Sequence, residues 1–280
     1  MTLEAHDLVL SHSGRVAVDH VDLEAASGKL LSIIGPNGSG KSTLLRGLAR
    51  LHKPDSGHVT LDGRDVRSLS SRELARHLAI LPQAPDGGFD LTVRELAWRG
   101  RYPHQGMFLR AKHEDLAAVR SALESCDLQD VAERQLGQLS GGERRRAWLA
   151  LALAQQPRML LLDEPTSFLD FEHQLGLMEI IDRLCDEGIG VIAVLHDVAL
   201  AARFSDTVVA LSDGKIAFSG SPCDVLTEAA LEPVFRVRMA VVEDPASGAP
   251  LPVPLGRTRT PGTVDDFAER RWSGAGRQRP

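Results

Sequence analysis

Apolar and polar positions alternate near the start of the chain, at Leu8 and Leu10, then Val16, Val18, Val21 and Leu23. A period of two predicts short strands with one buried face over residues 3–33. The stretch Val59-Thr60-Leu61 runs into Asp62-Gly63, a β segment followed by a hairpin turn. From about Leu69 to Ala154 the spacing turns helical, interrupted by Pro82, Pro85, Gly87, Gly88, Pro103 and Gly106. Within it, Arg144 to Gln155 reads as an amphipathic helix. Three short apolar runs stand apart: Leu30 to Ile34, Met159 to Leu162, and Val191 to Leu195. Such runs fit strands buried on both faces, as in a parallel sheet with helices on each side. Each stops at polar residues: Gly35 and its loop, Asp163-Glu164, and His196-Asp197. In an α/β sheet the ligand sits at the carboxyl ends of the strands, so the three ends are expected to converge on one site.

Composition narrows the class without changing this picture. The chain has 280 residues, 32 basic against 38 acidic side chains, and a formal net charge of -6. Hydrophobic residues at 43% and charged residues at 25% exclude a fibrous or wholly disordered chain. The mild acidic balance argues against a general nucleic-acid binder. Cys126, Cys185 and Cys223 lie far apart and form no CxxC pair, so neither a disulfide framework nor a four-cysteine zinc site is expected. The start, MTLEAHDLVL, lacks a basic segment followed by an apolar one, so no signal peptide is expected. The longest apolar stretches, Ala147 to Ala154 and Val191 to Leu195, fall far short of the roughly 20 residues of a spanning helix. These features predict a soluble intracellular chain. Residues 256–280 carry six arginines against three acids with little apolar content, which predicts a flexible tail.

The loop after the first apolar run is Gly35-Pro36-Asn37-Gly38-Ser39-Gly40-Lys41-Ser42-Thr43. It matches G-x-x-x-x-G-K-[ST] between a strand and a helical pattern (Leu44, Leu45, Leu48). Glycines let the backbone curl so that several N–H groups face one anion, and the helix adds the positive end of its dipole. Lys41 can set its charge against the β- and γ-phosphates, and the Ser42 hydroxyl can ligate Mg²⁺. A glycine-rich turn with Lys and Ser by coincidence is the plain alternative, at roughly 0.004 chance matches per chain.

Met159 to Leu162 ends in Asp163-Glu164. Asp163 can hold the Mg²⁺ shell, and Glu164 can orient and deprotonate an attacking water. Surface acidic pairs are common, yet this pair follows four apolar residues. Leu139-Ser140-Gly141-Gly142-Glu143 opens the next helical pattern, and Ser140 with Glu143 has the spacing of a capping box. That structural role is compatible with a second one, because a glycine-rich helix start also binds phosphate. His196, at the end of a buried strand, is a further candidate, although a lone histidine there is commonly structural.

Taken in order, Gly35 to Thr43, Gln83, LSGGE at 139–143, MLLLDE at 159–164, SFLD at 167–170 and His196 resemble the motif set of an ABC-transporter ATPase. They look like its Walker A, Q-loop, signature, Walker B, D-loop and H-loop, and the resemblance covers about residues 2–255. It implies a P-loop NTPase (RecA-like) core with a parallel sheet, an N-terminal antiparallel β subdomain and an inserted α-helical subdomain at about 86–155. It also implies a head-to-tail homodimer with ATP between one subunit's phosphate loop and Ser140, Gly141, Gly142 and Glu143 of the other. By the same resemblance Gln83 approaches Mg²⁺ and the water, Asp170 links the two sites, and His196 contacts the γ-phosphate. Two departures stand out. His12 occupies the place where the family stacks an aromatic ring on adenine, which predicts looser nucleobase selectivity. Glu143 stands where Gln is common, a change expected to be tolerated.

Substrate choice is expected to lie in two membrane permease subunits and a periplasmic or lipoprotein substrate-binding protein. This chain would then sit peripherally at the cytoplasmic face of the membrane and touch it only through the permease, with no nucleic-acid partner. The strings Gly100 to Gln105, Phe168-Leu169-Asp170 with His173-Gln174, Leu195 to Ala202, and Val241 to Pro254 are similar to those of ferric-siderophore importers; haem and cobalamin importers share much of the pattern. Gln83, residues 86–90 and the loop around Tyr102 are expected near the permease. A soluble non-transport ABC ATPase and a P-loop small-molecule kinase are the competing classes. The single phosphate loop without sustained heptads disfavours the first, and LSGGE with His196 the second.

Overall fold

The computed structural model describes residues 1–83, 90–105 and 112–257. The expectations for residues 86–89, Gly106 and the tail beyond 257 fall outside them. The chain begins with β1 (Thr2–His12), β2 (Arg15–Ala26), β3 (Leu30–Ile34), α1 (Lys41–Leu48), β4 (Ser56–Leu61), β5 (Arg64–Asp65), α2 (Ser71–Ala75) and β6 (Leu78–Leu81). It continues with α3 (Val93–Arg99), α4 (His113–Ser125), α5 (Gly141–Ala154), β7 (Met159–Asp163), α6 (Phe171–Asp186) and β8 (Gly190–Val194). The last elements are α7 (Val198–Phe204), β9 (Thr207–Ser212), β10 (Lys215–Gly220), α8 (Pro222–Val225), α9 (Glu228–Phe235), β11 (Val237–Glu243) and β12 (Pro250–Arg257).

β1 and β2 span 11 and 12 residues, so the strands expected to be short are long. Ser13 (φ 51°) and Gly14 (φ 77°) join them in a two-residue turn whose positive φ values match the strand twist. With β4 and β5 they form an antiparallel sheet in the order β2-β1-β4-β5, and Asp62-Gly63 makes the expected hairpin. The central sheet runs β10-β9-β3-β8-β7-β6, parallel except for the β10 edge. The three apolar runs are its neighbouring strands β3, β8 and β7, buried at every position. Side chains alternate between two cores: Met159 and Leu161 join α1 and the antiparallel sheet, whereas Leu160 and Leu162 join the helices of the other side. Each buried leucine contributes on the order of 1.5–3 kcal/mol, which fixes the sheet between the two layers.

Three further expectations need correction. The helical reading of 69–154 missed β6, whose four residues are too few to show a period; pairing with β7 makes it a strand. The stretch from Arg144 is not one-sided: α5 packs against α3 and α4 and also against β6 and α6. Its buried residues Arg145, Ala147, Leu149, Ala150, Ala152 and Leu153 therefore point in several directions. At the other end, β12 pairs with β11 through Val237 opposite Arg257, so the ordered chain extends past residue 255, and the expected tail at 256 begins inside a strand.

Candidate nucleotide site

Four carboxyl ends of the parallel sheet, not three, meet at one place. β3 leads into Gly35 to Gly40, β7 ends at Asp163, β8 is followed by Leu195-His196, and the missed β6 delivers Pro82-Gln83. Gly40 has φ 103° and lies so close to the Ala17 carbonyl that a Cβ would stand on its oxygen. Only glycine lets the loop enter α1 there. A cavity of about 370 Å³ opens above the loop. Asn37, Gly38, Gly40, Lys41, Ser42 and Thr43 line one part of it; His12, Arg15, Val16 and Ala17 line another, and Glu164 also borders it.

Inside the loop, Lys41 is buried and donates to the carbonyls of Gly35 and Pro36, both at 2.8 Å. Burial pushes its pKa down, opposed by the charges of Glu164 and Asp163. Ser39 Oγ is buried and has no hydrogen-bond partner among the described residues, which leaves it a free donor and acceptor beside the curled backbone. Together with the α1 start these features suit an anionic ligand such as a phosphate chain. Ser42 Oγ donates to Asp163 Oδ1 at 2.8 Å. Burial raises the Asp163 pKa; the Ser42 hydrogen bond opposes this, and the neighbouring Glu164 charge adds to it.

Glu164 has φ 50°, a region that costs a non-glycine residue about 1–3 kcal/mol. That kink turns its side chain back to the strand ends. Oε1 meets His196 Nε2 at 2.6 Å, while Oε2 accepts from Ser167 Oγ at 3.0 Å and from the Gln83 amide. The carboxylate is therefore held by three side chains from three loops. Such a group, largely buried and bordering a phosphate-sized cavity, can take a proton from a water lying between it and a bound anion.

The remaining candidates lie elsewhere in the single chain. Ser140 and Glu143 make both bonds of a capping box at the start of α5 (3.2 and 2.8 Å). The Ser140 backbone N–H first, and then its hydroxyl, hold the Glu143 carboxyl pKa down. Gly142 packs on His173 so closely that a Cβ would overlap the imidazole. Gly141 lines a separate cavity of about 230 Å³ with Gln83, Arg144, Trp148 and Phe168. Asp170 caps α6, accepting from His173 N at 3.0 Å and Nδ1 at 2.6 Å. His12 faces His52 across 6.3 Å between ring centres, at the border of the cavity.

Sequence reasoning missed Arg15 and Val16 as cavity residues, carried there by the β1–β2 turn, and gave Ser167 of the SFLD string no bond to Glu164. It also missed Arg145, whose run of three arginines reads as an ordinary basic surface. The hairpin pairing could have flagged Arg15, because it lies opposite His12 in the register.

The sequence matches the ABC transporter family over residues 18–167. It is similar to the ferric enterobactin transport ATP-binding protein FepC of Escherichia coli (strain K12), at 42% identity over 257 residues, 91% of this chain and 95% of that protein. It is also similar to the petrobactin import ATP-binding protein FpuD of Bacillus anthracis, at 41% identity over 258 residues, 92% of this chain and 94% of that one. Among solved structures, a chain described as a metal-chelate type ABC transporter in an inward-facing conformation superposes with a TM-score of 0.79. The identity there is 25%, covering 91% of this chain and 97% of that one.

Proposed function

The chain belongs to the ABC transporter family, and on that premise we propose that it is the ATP-hydrolysing subunit that energises import of a ferric siderophore. The observation that carries the catalytic reading is Glu164, gripped by His196, Gln83 and Ser167 at the edge of the phosphate-loop cavity. Lys41, the loop N–H groups and the α1 dipole bind the phosphates. Glu164 accepts the proton of the attacking water, and Gln83 and His196 set its carboxylate and the water in line. His12, Arg15 and Val16 border the end of the cavity left for the nucleoside.

Ser42 and Asp163 offer a hydroxyl and a carboxylate oxygen 2.8 Å apart, a donor pair that suits Mg²⁺. When bound there the ion would neutralise charge on the phosphates. Ser140, Gly141 and Gly142 serve a second copy's nucleotide: the own-chain cavity is not lined by them, and Gly141 faces another one. Asp170 lies beside that seam and links the two sites.

No helix among the described residues is long and apolar enough to cross a membrane. The chain works peripherally at the cytoplasmic face, bound to two permease subunits that pass on cargo from a substrate-binding protein. The siderophore assignment rests on the two importer relatives, aligned over more than nine-tenths of this chain.

Three measurements test these readings. Glu164→Gln keeps ATP affinity while phosphate release drops about 10²–10⁴-fold; hydrolysis at the wild-type rate overturns the assignment of the base. Lys41→Ala instead weakens ATP binding. In a strain lacking this chain, its return restores uptake of labelled ferric siderophore; restored uptake of haem or cobalamin alone overturns the cargo assignment.

A further inference from the structure

Arg145 is the fifth residue of α5 and only 8% exposed. Nε donates to the Pro165 carbonyl at 3.0 Å. Nη1 donates to the carbonyls of Pro82 at 3.0 Å and Gln83 at 2.8 Å. Nη2 donates to those of Asp163 at 3.0 Å and Glu164 at 3.1 Å. A guanidinium has five N–H donors in one rigid plane, and here every one is used on backbone. Among the described residues no carboxylate pairs with it.

A buried cation hydrogen-bonded to carbonyls, with the Asp163 and Glu164 charges opposing its burial cost, is a costly arrangement, and one that an apolar side chain could replace if packing were its sole purpose. The choice of carbonyls is specific. Residues 82–83 follow β6, and residues 163–165 span the end of β7, so one side chain pins two loops that the Gln83–Glu164 side-chain bond also joins. The same side chain grows from the helix that begins at Gly141, about 6 Å along the axis at 1.5 Å per residue. A shift of the helix start is thus carried to the backbone of both Gln83 and Glu164.

We propose that Arg145 is a positioning residue for hydrolysis, locking the Gln83 and Glu164 backbones to the signature helix so that the carboxylate and amide meet the attacking water in register. This rests on the reading of Glu164 as the base. Lysine has three donors on a single nitrogen and cannot span the two loops; glutamine has two.

The test uses the full-length chain with Arg145→Lys, Arg145→Gln and Arg145→Ala, reading kcat, ATP affinity and Tm. Misplacing reacting groups by about 1 Å can cost about a hundredfold, so kcat falls about 10- to 100-fold for Lys and Gln while ATP affinity stays within about twofold. Guanidinium ion added to Arg145→Ala restores rate, which a general loss of packing would not allow. Wild-type kcat in Arg145→Lys, or an equal fall in ATP affinity and kcat, overturns the proposal. So does the absence of any rescue in a folded Arg145→Ala. If the alanine variant does not fold, the kcat-against-affinity split of Arg145→Lys decides alone. Glu164→Gln, run in parallel, separates the two readings. Full hydrolysis there removes the base assignment, whereas an inactive Glu164→Gln beside a fully active Arg145→Lys removes only the role of Arg145.

Discussion

Both oxygens of Glu164 are occupied by neighbours, at a backbone φ that glutamate adopts only under constraint. This constellation was legible in sequence where a polar residue ended an apolar run: Asp163, Glu164 and His196 announce themselves by position. Gln83 was found through motif order and not through its strand, because β6 is too short to show a period. Arg145 left no signal, since its carbonyl partners lie 18 to 63 positions away and any residue type supplies a carbonyl. His12 gives the residue-scale test. It borders the cavity with Arg15 and Val16, at the end we propose for the nucleoside, where the largest ring is an imidazole. Replacing it by tyrosine adds stacking area worth about 0.5–1.5 kcal/mol, so His12→Tyr binds ATP roughly 2- to 10-fold more tightly. Equilibrium titration with ATP and GTP checks this; an unchanged ATP affinity places the base elsewhere.

At the scale of elements, α5 shows one motif serving two purposes. Ser140 and Glu143 close the capping box, and the first-turn N–H groups of Gly141 and Gly142, which have no partner inside the helix, fall where we propose the second copy's phosphate. The box has a pH signature. The folded pKa of Glu143 lies below its unfolded value of about 4.3, so its contribution is present above that pH and is lost as pH falls through the folded value. Glu143→Gln keeps the box geometry without the titration. Thermal melts from pH 6 to pH 3.5 will show the wild type losing more Tm than Glu143→Gln below about pH 4.3; parallel curves refute the assignment. The neighbouring helices are joined by Arg101 Nε and Asp115 Oδ1 at 2.9 Å, both side chains nearly inaccessible. Arg101 also donates to the Ala154 carbonyl at 2.6 Å, tying the end of α5 to the pair. Asp115→Ala strands the buried guanidinium and costs about 3–5 kcal/mol in denaturant unfolding. The isolated match of Arg101 with Asp115 was not readable in sequence, because two exposed charges would look the same.

At the scale of the molecule, two exposed phenylalanines remain unexplained by a single chain. Phe168 is 95% exposed and Phe171 83% exposed, on either side of Asp170. Phe171 borders an apolar groove of about 260 Å³ with Leu175, Pro250 and Leu251, where the β11–β12 hairpin packs on α7. A monomer gains nothing by presenting two phenyl rings to water, whereas a second copy bound head-to-tail would bring its own phosphate loop to Gly141 and cover the segment around Asp170. Each ring removed from water contributes on the order of 1.5–3 kcal/mol. Replacing both by serine in the Glu164→Gln background, where ATP is retained, therefore raises the dissociation constant of the ATP-bound dimer about 100-fold or more. ATP affinity of the monomer stays unchanged, since neither ring lines the nucleotide cavity. Sedimentation equilibrium with and without ATP measures both quantities. An ATP-bound dimer of undiminished strength would mean that the rings face the permease or solvent, and that the dimer seam lies away from Asp170.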